Sequence, residues 1–116
     1  MLATLTLSTS STSEHAIVAW STSRAFGIDI EAINPKAVSA DAAKIFMHPR
    51  ELETWRSSED PIGVFFRCWT RKEACLKSLG TGFQTDPTSL DVLHEATIID
   101  LDLPPGLAGA MVAGTS

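Results

Sequence analysis

Trp69-Thr70-Arg71-Lys72-Glu73-Ala74-Cys75-Leu76-Lys77 closes a helical pattern that runs over 61–79, the longest in the chain. Trp69, Glu73 and Lys77 recur at i, i+4 steps with Lys72 beside them, so indole, carboxylate and ammonium share one stripe. About forty residues upstream stands Gly27-Ile28-Asp29-Ile30-Glu31, two carboxylates two apart in a β-branched run. Alternate strand side chains share a face, so Asp29 and Glu31 point the same way. Acidic residues are depleted in strands, and two on one face repel unless something positive lies between them. Three carboxylates converging with a lysine suit a hard divalent cation that carries phosphate oxygens. Each segment also has a plainer reading. The first is then the solvent face of an edge strand, and the second an amphipathic helix with a Glu–Lys pair worth ~0.2–0.5 kcal/mol.

Working outward, Ser39 can cap a helix over 40–47, and His48-Pro49 breaks it and opens another over 49–57. Asp60-Pro61 repeats the cap-then-proline signal before the long helix, and Gly80 stands where a left-handed C-terminal residue belongs. On the N-terminal side, residues 2–7 alternate weakly as an edge strand, and the hydroxyl run Ser8 to Ser13 reads as a loop. Ala16–Trp20 and Phe26–Ile30, split by Ser-Thr-Ser-Arg, read as a hairpin. Beyond the helix the pattern returns to strands at 90–93, 97–101 and 107–113, with Pro104-Pro105-Gly106 as a turn. The order predicts one α+β domain over 1–116, its antiparallel sheet packed against the long helix.

The 116 residues, 44% hydrophobic and 20% charged, are ordinary globular composition and enough for a single core. A net charge of −5 argues against a nucleic-acid binder. Seven of the nine basic residues (Lys44, Arg50, Arg56, Arg67, Arg71, Lys72, Lys77) nevertheless fall between 44 and 77. That cluster reads either as a solvated helical face or as a basic patch for an acidic protein or a phosphorylated ligand. Cys68 and Cys75, seven apart on one helix, lie about 10 Å apart along its axis, too far for a disulfide. They also lack the spacing of a zinc or redox site, so buried thiols are expected. No window approaches the ~20 apolar residues of a membrane span, and the N-terminus has no basic, apolar leader. A reducing cytoplasm is the expected compartment.

Gly-Ile-Asp-Ile-Glu followed by Trp-x-x-Lys-Glu-Ala-x-x-Lys-x-x-Gly-x-Gly resembles the 4′-phosphopantetheinyl transferase superfamily. Phe46 and Glu51, between the two blocks, resemble its Phe…Glu element, and the likeness runs over about residues 10 to 115. Glu31, giving Asp-x-Glu, is similar to the surfactin-synthetase-activating type, whereas the holo-acyl-carrier-protein-synthase type has a short apolar residue there.

The resemblance implies transfer of the 4′-phosphopantetheine arm of coenzyme A to a serine of an apo acyl or peptidyl carrier protein. Asp29, Glu31 and Glu73 would hold Mg²⁺, with Glu73 and Lys77 catalytic. Lys72, Lys77, Gly80 and Gly82 would border the coenzyme. Larger members carry Ser-His-Ser where this chain has Ser11-Thr12-Ser13, which leaves Thr12 a hydroxyl in place of a possible positive charge. Surfactin-type enzymes join two such folds around the coenzyme, and this chain supplies one. The expectation is a homo-oligomer, trimer or dimer, that completes the site. Two other readings stand beside it: a non-catalytic carrier-binding or scaffold domain, and a Mg²⁺-dependent phosphohydrolase.

Overall fold

Three helix starts are written into the chain, and each forms where a polar side chain can take an orphan backbone N–H. The structure, a computed structural model, describes residues 6–11, 16–21, 26–79 and 85–113. In it α1 (Ala40–Phe46) opens with Ser39 Oγ accepting from Ala42 N at 3.0 Å. At the start of α2 (Pro49–Ser57), His48 Nδ1 accepts from Arg50 N at 3.1 Å, and Glu51 Oε1 accepts from His48 N at 2.8 Å. This is a reciprocal capping box with histidine in the usual hydroxyl position. Asp60 Oδ1 accepts from Gly63 N at 3.0 Å and opens α3 (Pro61–Leu79), the nineteen-residue helix. Its C-terminal cap, expected at Gly80, lies outside the described residues.

The strands are β1 (Thr6–Ser11), β2 (Ala16–Ser21), β3 (Phe26–Ala32), β4 (Ile98–Asp100) and β5 (Leu107–Ala113). They form an antiparallel β1–β2 pair and a three-stranded antiparallel sheet of order β3-β5-β4. The α+β class holds, with α3 lying over β3 and β5. Three local expectations do not. The hydroxyl run supplies most of β1, because its register against the apolar β2 outweighs the loop bias of serine and threonine. Among the described residues the strand over 26–30 does not pair with 16–20. In the sheet it pairs with β5, whose Ala108, Gly109 and Ala110 stand opposite Glu31, Ile30 and Asp29. Residues 90–93 form no strand: Val92 N donates to Glu51 Oε2 at 2.7 Å, while Val92 and Leu93 bury their side chains.

The core gathers α1, α3, the 92–93 segment and the sheet through Ala43, Phe46, Phe65, Phe66, Leu93, Ile98 and Val112. Phe46 meets Phe65 and Trp69 edge-to-face at centroid distances of 5.2 and 5.1 Å. Arg71 fastens the sheet's far side to α3. Its guanidinium takes Asp100 in a fork (Nε–Oδ1 2.8 Å, Nη2–Oδ2 3.0 Å) and donates to Val92 O at 2.8 Å. Burial works against the Asp100 charge, but Arg71 and Arg67 together hold its carboxyl below the usual range. Among the described residues no helix is long and apolar enough to cross a membrane.

Two contacts set how α3 sits. A Cβ added at Gly27 would lie 1.8 Å from Ala74 O and 2.8 Å from Ser78 N, so only glycine lets the helix backbone rest on β3. On another side of the helix, Lys72 Nζ meets Glu51 at 2.6 Å, both side chains fully buried, and also donates to Pro87 O and Leu90 O. Every partner is polar and aimed at a charge, which is the condition for burying an ion pair.

Gly27→Ala is expected to destabilise the fold by about 3 kcal/mol in urea denaturation, because backbone atoms cannot give way as a flexible side chain can. Lys72→Met alone should cost on the order of 3–5 kcal/mol by stranding Glu51. The double variant Glu51→Gln/Lys72→Met should recover much of that loss. Equal stability of the single and double variants would refute the pairing.

Candidate active site

Strand alternation aims Gly27, Asp29 and Glu31 at α3, and the missing side chain at position 27 lets the helix come close enough to meet the other two. Lys77 Nζ then reaches β3 twice, donating to Ile28 O at 2.8 Å and to Asp29 Oδ1 at 3.2 Å. The Asp29 side chain is 6% exposed and that of Lys77 36%, so the carboxylate is sheltered while the ammonium keeps a path to solvent.

The electrostatics join all four predicted groups. Burial, the Glu31 charge and a hydrogen bond shared with Glu31 raise the Asp29 carboxyl to about 7, against the opposing pull of Lys77. Glu73 is raised as well, first by burial and then by Glu31, again opposed by Lys77. Asp29, Glu31, Glu73 and Lys77 therefore influence one another electrostatically. Among the described residues, however, no three acidic, histidine or cysteine side chains are drawn into a ready-made metal cage. In this arrangement the Lys77 ammonium sits on an Asp29 oxygen. The donor chemistry still fits Mg²⁺: the carboxylates are hard oxygen donors, and that ion commonly takes one or two of them with water and substrate phosphate.

Lys72 needs correction. The coenzyme contact expected of it does not form, because its ammonium is fully buried against Glu51 on the core side of α3. Trp69 packs on Phe46 and serves the core. Thr12, Gly80 and Gly82 lie outside the described residues. The Cys68 thiol is pushed up, chiefly by burial, and Cys75 likewise, so neither is an activated nucleophile. The Ile28 carbonyl, the second anchor of Lys77, had no signal in the sequence because it is a backbone atom.

Over 69 residues the chain is 44% identical to 4′-phosphopantetheinyl transferase HetI of Nostoc sp., a match covering 58% of this chain and 29% of that protein. It is 41% identical over 69 residues to the L-aminoadipate-semialdehyde dehydrogenase-phosphopantetheinyl transferase of Schizosaccharomyces pombe, covering 57% and 27%. The matched region thus spans less than a third of each of these relatives. The crystal structure of Thermotoga maritima holo-[acyl-carrier-protein] synthase superposes with a TM-score of 0.65 at 18% identity, over 77% of this chain and 61% of that one, which is a likeness of fold. The family pattern of the 4′-phosphopantetheinyl transferase superfamily matches residues 25–104, from the edge of β3 past β4 and through all four site residues. The chain belongs to the 4′-phosphopantetheinyl transferase superfamily.

Proposed function

We propose that this fold transfers the 4′-phosphopantetheine arm of coenzyme A to a serine hydroxyl of an apo carrier protein in the presence of Mg²⁺. The observation that carries the reading is the meeting of Lys77 from α3 with Asp29 from β3, beside Glu31 and Glu73. Family membership supports it, and so do the named activities of the relatives.

The serine oxygen would bond to the phosphorus of the arm as the link to the adenosine 3′,5′-bisphosphate leaving group breaks. Glu73, its carboxyl raised by burial, is suited to take the serine proton, directly or through a water. Lys77, on a flexible and partly exposed stem, would place its ammonium against the charge that builds on the phosphate oxygens. Asp29 and Glu31, with Glu73, would hold Mg²⁺, which when bound neutralises pyrophosphate charge and orients it. We assign Gly80 and Gly82, and Thr12 in place of the larger members' histidine, to the coenzyme on the resemblance of their sequence positions. A second copy of the chain would cover the side of the coenzyme that one fold leaves open, in a dimer or a trimer.

The deciding experiment incubates the protein with coenzyme A, Mg²⁺ and a panel of apo carrier proteins, then reads intact mass. A gain of one arm on a carrier serine is expected. Phosphate release without a carrier would replace the proposal with a phosphohydrolase, and carrier binding without transfer would replace it with a scaffold. Glu73→Gln should lower turnover about 10²- to 10⁴-fold with little change in carrier KM. Lys77→Ala should lower kcat by about 10²-fold or more, likewise without loss of carrier affinity.

The raised Asp29 carboxyl adds a stability test. Its folded value of about 7 exceeds the ordinary aspartate value of 3.8. From about pH 4 to 7 the folded chain therefore holds a proton that the unfolded chain has released, and stability falls as pH rises through that window. Asp29→Asn removes this penalty. Its stability relative to the parent without metal should climb between pH 4 and 7, by on the order of 2 kcal/mol, and then level off. A constant difference across that range in pH-resolved thermal melts would count against the burial of Asp29 and its crowding by Glu31.

A further inference from the structure

Asp29 already has a cation. Lys77 Nζ spans Ile28 O at 2.8 Å and Asp29 Oδ1 at 3.2 Å, so α3 delivers one positive charge to the strand position that the proposed function gives to Mg²⁺. Two cations held on one carboxylate, whichever oxygen each takes, repel one another strongly at close range in a partly buried site. The rest of the geometry favours exchange over coexistence. Asp29 is fixed in a strand and sheltered, whereas Lys77 ends a four-carbon stem, is 36% exposed and sits two residues from the end of α3.

We infer that Lys77 is a built-in stand-in for the divalent cation: it occupies Asp29 in the metal-free protein and must leave before the metal can bind. This rests on the Mg²⁺ reading of the site and adds an order to it. The ammonium offsets the repulsion between Asp29 and Glu31 while the metal is absent. The protein alone therefore binds Mg²⁺ weakly. Coenzyme A gives the displaced ammonium a new anionic partner in its phosphates. The metal and the coenzyme accordingly favour one another's binding, and the coupling is reciprocal. One side chain thus serves Asp29 before the substrate arrives and the phosphate afterwards.

Calorimetric titration of Mg²⁺ into the full chain without coenzyme A tests this apart from catalysis. Lys77→Met removes the charge and keeps the stem, and should tighten Mg²⁺ binding about tenfold or more. Lys77→Arg keeps the charge and should bind about as weakly as the parent. In thermal melts, Mg²⁺ should raise the midpoint of Lys77→Met more than that of the parent. Should Lys77→Met not fold, Lys77→Gln carries the same comparison. Unchanged or weaker Mg²⁺ affinity in the neutral variant overturns the inference, and if the parent still modifies carrier serines the proposed function survives it. If neither protein binds Mg²⁺, with or without coenzyme A, the metal reading and the inference fall together.

Discussion

The contact on which the rest depends is one in which a side chain is missing. Gly27 lets the backbone of α3 rest on β3 at Ala74 and Ser78. Everything chemical follows from that approach, because Glu73 and Lys77 leave the helix beside the touching turn while Asp29 and Glu31 leave the strand just past it. Without the approach, the acidic pair would remain an unbalanced patch on a strand. With it, burial and charge crowding lift Asp29 and Glu73 together, and Lys77 can reach both a carboxylate and a main-chain carbonyl. The close packing and the electrostatic site are one construction.

The helices were legible because their signals are local. Ser39, Pro49 and Asp60-Pro61 each act within one turn, and α1, α2 and α3 start where those residues place them. The strands were less so, because pairing is decided at long range. Nothing near Phe26–Ile30 says that its ladder partner lies some eighty residues on, in the small residues of β5. The 90–93 run has strand composition, yet a buried carboxylate, Glu51, takes the Val92 N–H. Within the site, spacing pointed to the approach of Lys77 to Asp29, while Glu31 and Glu73 enter it through their charge. The Lys72 assignment failed for a reason that was present in the sequence. Lys72 follows Phe65 and Cys68 at helical spacing, which puts it on the apolar stripe, and a lysine there calls for a buried acid.

Glu51 meets that demand and gives the second half of the molecule its anchor. Its two oxygens serve the start of α2, the Lys72 ammonium and the Val92 amide, so helix, helix and loop are fixed to one carboxylate. Arg71, the neighbour of Lys72, makes a parallel attachment to Val92 O and Asp100. Two adjacent basic residues of α3 thus hold the 87–100 region, and a third, Lys77, holds β3. The concentration of basic residues between 44 and 77 is in part internal wiring, which lessens its weight as an outward-facing patch.

The two lysines of α3 divide their labour by angle. Lys72 points into the core and Lys77 toward β3, and successive residues of a helix turn by about 100°. Their separate duties therefore depend on the number of residues between them. A single residue gained or lost between Lys72 and Glu73 would leave the Glu51 pair and the aromatic core in place, yet swing Glu73 and Lys77 around the helix and away from β3. Through this stretch a substitution alters one contact, whereas a change in length moves every group beyond it at once. Chain length between these positions is as much a part of the site as the residues themselves.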